Sequence, residues 1–78
     1  MNPEHIRALD LADAGEWEAS HRIVQQMDDP VACWIHACLH REEGDQGNAD
    51  YWYARCGHPR SQASIQEERD TIRAALAG

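Results

Sequence analysis

The chain has 78 residues, with 14 Asp and Glu against 7 Arg, no Lys and a formal net charge of −7. A body this acidic repels phosphate backbones, which argues against nucleic-acid partners, and no stretch approaches the roughly 18 apolar residues of a membrane span. One domain of this size lies near the lower limit at which a hydrophobic core suffices alone, so oligomerisation or a metal is a natural supplement. The charge is uneven. Seven acids and two Arg fall in residues 1–29, and three acids and four Arg in residues 51–78. Met1-Asn2-Pro3-Glu4-His5 lacks the basic-then-apolar pattern of a secretory signal. Three Cys without a C-x-x-C pair do not make a disulfide framework, so a reducing cytoplasm is the expected location.

Gly and Pro divide the chain into segments of helical length. The first, Pro3 to Ala14, opens with Pro and Glu4 in a first turn, where both are favourable. Ile6, Ala8, Leu9, Leu11 and Ala12 give it a broad apolar face, and Gly15 ends it. The second runs from Glu16 to about Met27, with Trp17, Ser20, His21, Val24 and Met27 at helical spacing. Asp28-Asp29-Pro30 stops it, leaving Asp29 to cap a third helix that begins at Pro30.

That third segment, Pro30 to Glu43, carries two low-charge faces. Val31, Trp34, Ile35, Cys38 and Leu39 form one; Cys33, His36, Ala37 and His40 form another. A helix apolar on two sides is expected at the centre of its fold. The fourth segment, about Asn48 to Cys56, contains Tyr51-Trp52-Tyr53 and ends at Gly57. The fifth, Ser61 to Ala77, has Ser64 and Glu67 at capping-box spacing; its apolar set of Ile65, Ile72 and Leu76 is interrupted by Glu68 and Arg69, so it reads as a half-exposed closing helix.

Shifting the chain by 29 residues places Ile6 on Ile35, Ala8 on Ala37, Gly15 on Gly44 and Pro30 on Pro59, with Ser20 on Ala49 and Val24 on Tyr53. Ala37, Gly44, Ala49, Tyr53 and Cys56, followed by Pro59, resemble the spaced small and aromatic positions of the tetratricopeptide-like (TPR-like) helical-hairpin repeat. Gly44-Asp45 looks like that family's inter-helix turn. The segment Trp34 to Gly57 is also similar to segments of small uncharacterised bacterial proteins, which implies no activity. The resemblance implies an all-α domain over residues 1–78, with repeat units 1–29 and 30–58 as two stacked antiparallel hairpins and a closing helix at 61–77. It further implies a protein-interaction or self-assembly module without catalytic activity of its own, for which a homodimer supplies missing burial.

Trp34, Tyr51, Trp52 and Tyr53, with His36 and His40, are the expected interaction surface, because Trp and Tyr bury much area while keeping a polar tip. Packing in place of the absent Phe is the other role open to them, and the favoured one for Trp34 and Trp52. Cys33, His36 and His40 share one strip of the third helix at i, i+3 and i+7. Thiolate and imidazole are ordinary zinc ligands, so this strip, with Cys56 and His58 as further donors, is the alternative functional reading. Closely packed helices also bury small Cys and satisfied His, and that role is the expected one. A thiol nucleophile at Cys33 or Cys38 would need a lowered pKa and a nearby base. The carboxylates Glu42, Glu43 and Asp45, like Asp10 and Asp13, read as solvated turn and surface charges.

Overall fold

Five helices in chain order make up the fold: α1 (Pro3–Asp13), α2 (Trp17–Val24), α3 (Pro30–Glu42), α4 (Gln46–Arg55) and α5 (Ile65–Ala77). The computed structural model describes residues 3–78, so the reading of Met1 and Asn2 lies outside them. Among the described residues there is no strand, and no helix is long and apolar enough to cross a membrane.

The helix ends obey local chemistry. Asp29 is extended, accepts the Ala32 N–H through its side chain and is followed by Pro30 at the first helical position. Ser64 and Glu67 form the reciprocal capping box, each satisfying an orphan N–H of the other's backbone. Both hairpin turns end in the same way. Gly15 and Gly44 adopt left-handed φ of 82° and 90°, and the next N–H reaches back five residues, Glu16 to the Leu11 carbonyl and Asp45 to the His40 carbonyl. That bond satisfies a carbonyl the helix would otherwise leave unpaired.

Three boundaries differ from expectation. Helix α5 begins at Ile65 rather than Ser61, because Ser64 is its cap and Arg41 holds the Ser61 and Ala63 carbonyls in the preceding segment. Helix α2 stops at Val24; the Gln26 and Met27 N–H groups turn to carbonyls three residues back, tightening the chain before Asp28-Asp29-Pro30. Helix α4 starts early, at Gln46, since the Asp45 side chain accepts the Asn48 N–H and caps it.

Helix α3 is central and packs against all four others. Its eight buried positions include members of both predicted faces, with Val31 and Trp34 half-buried. On one side Ile35, Cys38 and Leu39 meet Ala8, Leu9, Ala12, Val24 and Ile72. On the other, Ala37 meets Ala49 and Tyr53, flanked by Trp34 and Trp52. Ala8 and Ala37 are fully buried, as are Ser20 and Ala49, whereas Ile6 is half-buried and Ile35 buried. At the first crossing the Ser20 hydroxyl donates to the Ala8 carbonyl at 2.7 Å.

Helix α5 docks through the residues that interrupt its apolar stripe. Glu68 and Arg69 are both buried. Arg69 pairs with Glu42 and with Asp13, and Arg73 with Asp10 and Asp13. These acids, expected to be solvated, are therefore the sockets that seat the closing helix on α1 and α3.

Candidate metal centre

Helix α2 contributes His21, one turn after Trp17. The Trp17 indole N–H donates to the Leu39 carbonyl of α3 at 2.7 Å, and its ring stacks on His21 with centroids 4.8 Å apart and planes 11° from parallel. Helix α3 contributes His36 and His40, which an i, i+4 spacing places on one face; their rings stack at 5.0 Å. Helix α4 contributes Trp52, which lies flat on His36 at 3.9 Å. Two indoles thus stack on two of the three imidazoles.

The rings converge through their nitrogens. His36 Nε2 and His21 Nε2 are 3.0 Å apart, so one donates its hydrogen to the lone pair of the other. One ligand nitrogen from each of His21, His36 and His40 can be chosen so that all lie within 4.8 Å of one another. His40 donates from Nδ1 to Glu43 Oε2 at 2.6 Å. A carboxylate acceptor fixes the hydrogen on Nδ1 and leaves the Nε2 lone pair free, as carboxylates do behind metal-bound histidines.

Burial disfavours the charged form of two of these rings. His36, 3% exposed, has its pKa lowered to about 4 by burial first and by repulsion from His21 and His40 second. Burial also lowers the pKa of His21, with His40 adding to it and Glu43 and Glu18 opposing it. A neutral imidazole is the form that donates a lone pair to a metal.

Three imidazole nitrogens are borderline donors suited to zinc, copper, nickel or cobalt rather than to calcium or magnesium. Ligand nitrogens about 2.0–2.1 Å from a tetrahedral zinc are roughly 3.3 Å apart, close to the 3.0 Å already present between His21 and His36. A second group, His40 with Glu43 and Asp45, also falls within reach of one ion, but both carboxylates are exposed.

The structure gathers His36 and His40 as the strip suggested, but with His21 and not with Cys33. Seven residues of helix rise about 10.5 Å, too far for Cys33 and His40 to share one ion. Cys33 faces the end of α4, near Arg55 and Cys56. The Cys56 thiol reaches the Tyr53 carbonyl, and His58 stacks on Trp34 at 4.0 Å, so neither joins the cluster. His21 was visible only as one member of the α2 stripe with Ser20 and Val24. Its role depends on which helix that stripe meets.

The aromatic group is mostly interior. Tyr53 is 2% exposed and Tyr51 55%; Trp34 and Trp52 are half-buried. The Trp34 indole N–H and the Tyr53 hydroxyl both donate to Oε2 of buried Glu68, at 3.0 and 2.6 Å, and the Arg41 guanidinium lies 3.5 Å from Oε1. Burial and the Glu68 carboxylate push the Cys38 thiol and the Tyr53 hydroxyl up, the reverse of what activates a thiol nucleophile.

The sequence matches no protein-family model, and comparisons with curated proteins and with solved structures give no match.

Proposed function

We propose that this chain is a small helical metal-binding protein that takes one divalent transition-metal ion through His21, His36 and His40. The observation that carries the reading is the convergence of three imidazole nitrogens from two helices of different hairpins. The neutral state of His36, the Glu43 carboxylate behind His40 and the two stacked indoles support it. The ion would join α2 to α3 and so tie the first hairpin to the second, supplying the stabilisation that a domain of this size benefits from. Assembly through the aromatics has less support, because of the six residues expected to form that surface Tyr51 alone is exposed.

Cobalt titration followed by visible absorption tests this reading. Saturation at one equivalent with ligand-field bands is expected, and His21→Ala or His36→Ala abolishes them. Cys33→Ser leaves the bands in place; their loss in that variant, or their absence in the wild type, refutes the assignment. Glu43→Gln weakens binding by about 10–100-fold, the usual effect of removing a carboxylate behind a liganding histidine.

A further inference from the structure

The α1–α2 hairpin has two faces, and α3 covers one of them, where Ala8, Leu9, Ser20 and Val24 are buried. The opposite side holds an open cleft of about 430 Å³ running between the two helices. Its apolar floor comes from Leu11, Ala19, Ile23 and Met27, and Arg7 and Arg22 border it. Leu11 is half-buried yet belongs to neither core cluster.

The arginines set the chemistry. Elsewhere the chain's arginines are held: Arg41, Arg60, Arg69 and Arg73 each reach a carboxylate, and Arg55 lies over Trp52. Arg22 has no ion pair or hydrogen bond among the described residues, although acids outnumber Arg two to one. Arg7 has a 3.7 Å exposed contact with Glu4, which also lines the cleft. An apolar trough beside an unmatched cation, in an otherwise acidic molecule, selects a ligand that is apolar along one stripe and anionic beside it.

Two antiparallel helices with an open groove between them seat a third helix, by the packing that builds helical layers and helix-in-groove complexes. The cleft is partly open to solvent rather than the enclosed pocket that sequesters a lipid tail, and a net charge of −7 disfavours anionic membrane surfaces. We propose that the α1–α2 cleft docks an acidic amphipathic helix of a partner protein, with the helix's apolar stripe on Leu11, Ile23 and Met27 and its carboxylates on Arg22 and Arg7. The site is separate from the three histidines.

Fluorescence anisotropy with labelled synthetic helices of about 15 residues, long enough to hold helical structure once docked, tests it. One peptide carries Leu at i, i+3, i+4 and i+7 with Glu elsewhere; a second replaces Glu by Lys; a third scrambles the first. The acidic peptide binds saturably, and Arg7→Glu with Arg22→Glu weakens it at least about tenfold while creating binding of the Lys peptide. Leu11→Asp weakens both. Equal binding of the scrambled peptide, no saturable binding of the acidic one, or indifference to the charge reversal overturns the proposal. Amide chemical-shift changes on the wild-type protein, centred on Leu11, Arg22 and Ile23, give a readout independent of any variant's folding; changes centred elsewhere also overturn it.

Discussion

Glu68→Ala removes the acceptor at the junction of α3, α4 and α5. The carboxylate is 2% exposed and receives the Trp34 indole N–H, the Tyr53 hydroxyl and the charge of Arg41. Its loss leaves the Arg41 guanidinium, whose side chain is 12% exposed, without its counter-charge, and orphans two interior donors. Breaking a buried pair from one side costs about 3–5 kcal/mol. A domain of this length has roughly 4–12 kcal/mol in all, so the variant sits close to the threshold of folding. Glu68→Gln keeps an acceptor for both donors but loses the charge and turns an amide NH2 toward Arg41; a cost of about 1.5–3 kcal/mol follows, the contribution of hydrogen bonds to charged groups. Urea unfolding followed by tryptophan fluorescence measures both, and Tyr53→Phe combined with Glu68→Ala, each of which removes the Tyr53–Glu68 bond, measures the hydroxyl contact in a double-mutant cycle. A cost below about 1 kcal/mol for Glu68→Ala would refute the view that this carboxylate organises the closing helix.

Acid should loosen the histidine cluster. The folded protein holds His36 near pKa 4 against an ordinary value of 6.5, so between those values the unfolded chain binds the extra proton. Stability is therefore full above pH 6.5 and falls as pH drops through the window, by at most about 3 kcal/mol at 1.36 kcal/mol per unit, with His21 acting in the same direction. Urea midpoints at pH 7 and pH 4.5 should show this fall in the wild type and a smaller one in His36→Gln; equal falls contradict it. At Gly44, φ is +90° and an added Cβ would meet nothing within 4 Å. Gly44→Ala should thus cost about 1–2 kcal/mol from backbone strain alone, read as a lowered melting temperature with an unchanged circular dichroism spectrum.

Much of the architecture is legible residue by residue. Asp29 before Pro30, Ser64 before Glu67, and the glycines at 15 and 44 mark ends by rules that act within a few residues, and the two apolar faces of α3 announce a central helix. What could not be read involves partners far apart in sequence. Glu68 and Arg69 look like breaks in an amphipathic stripe because pattern reading assigns charge to the surface; their partners Arg41, Tyr53, Asp13 and Glu42 lie on other helices. Cys33 shares the His36–His40 strip on a wheel, but a wheel omits the rise along the axis. The third imidazole comes from α2, and its place is set by the packing of Trp17 on the end of α3.

Metal content decides the central claim most directly. Untagged protein dialysed against zinc, freed of excess and assayed by elemental analysis should retain one zinc per chain, while a variant with His21, His36 and His40 all changed to Ala retains none. At a free zinc concentration about 100-fold above the dissociation constant, the wild type should gain about 2.7 kcal/mol. For a domain of this size that raises the melting temperature by roughly 10–20 °C. No retained zinc in the wild type, or equal retention by the triple variant, would contradict the account.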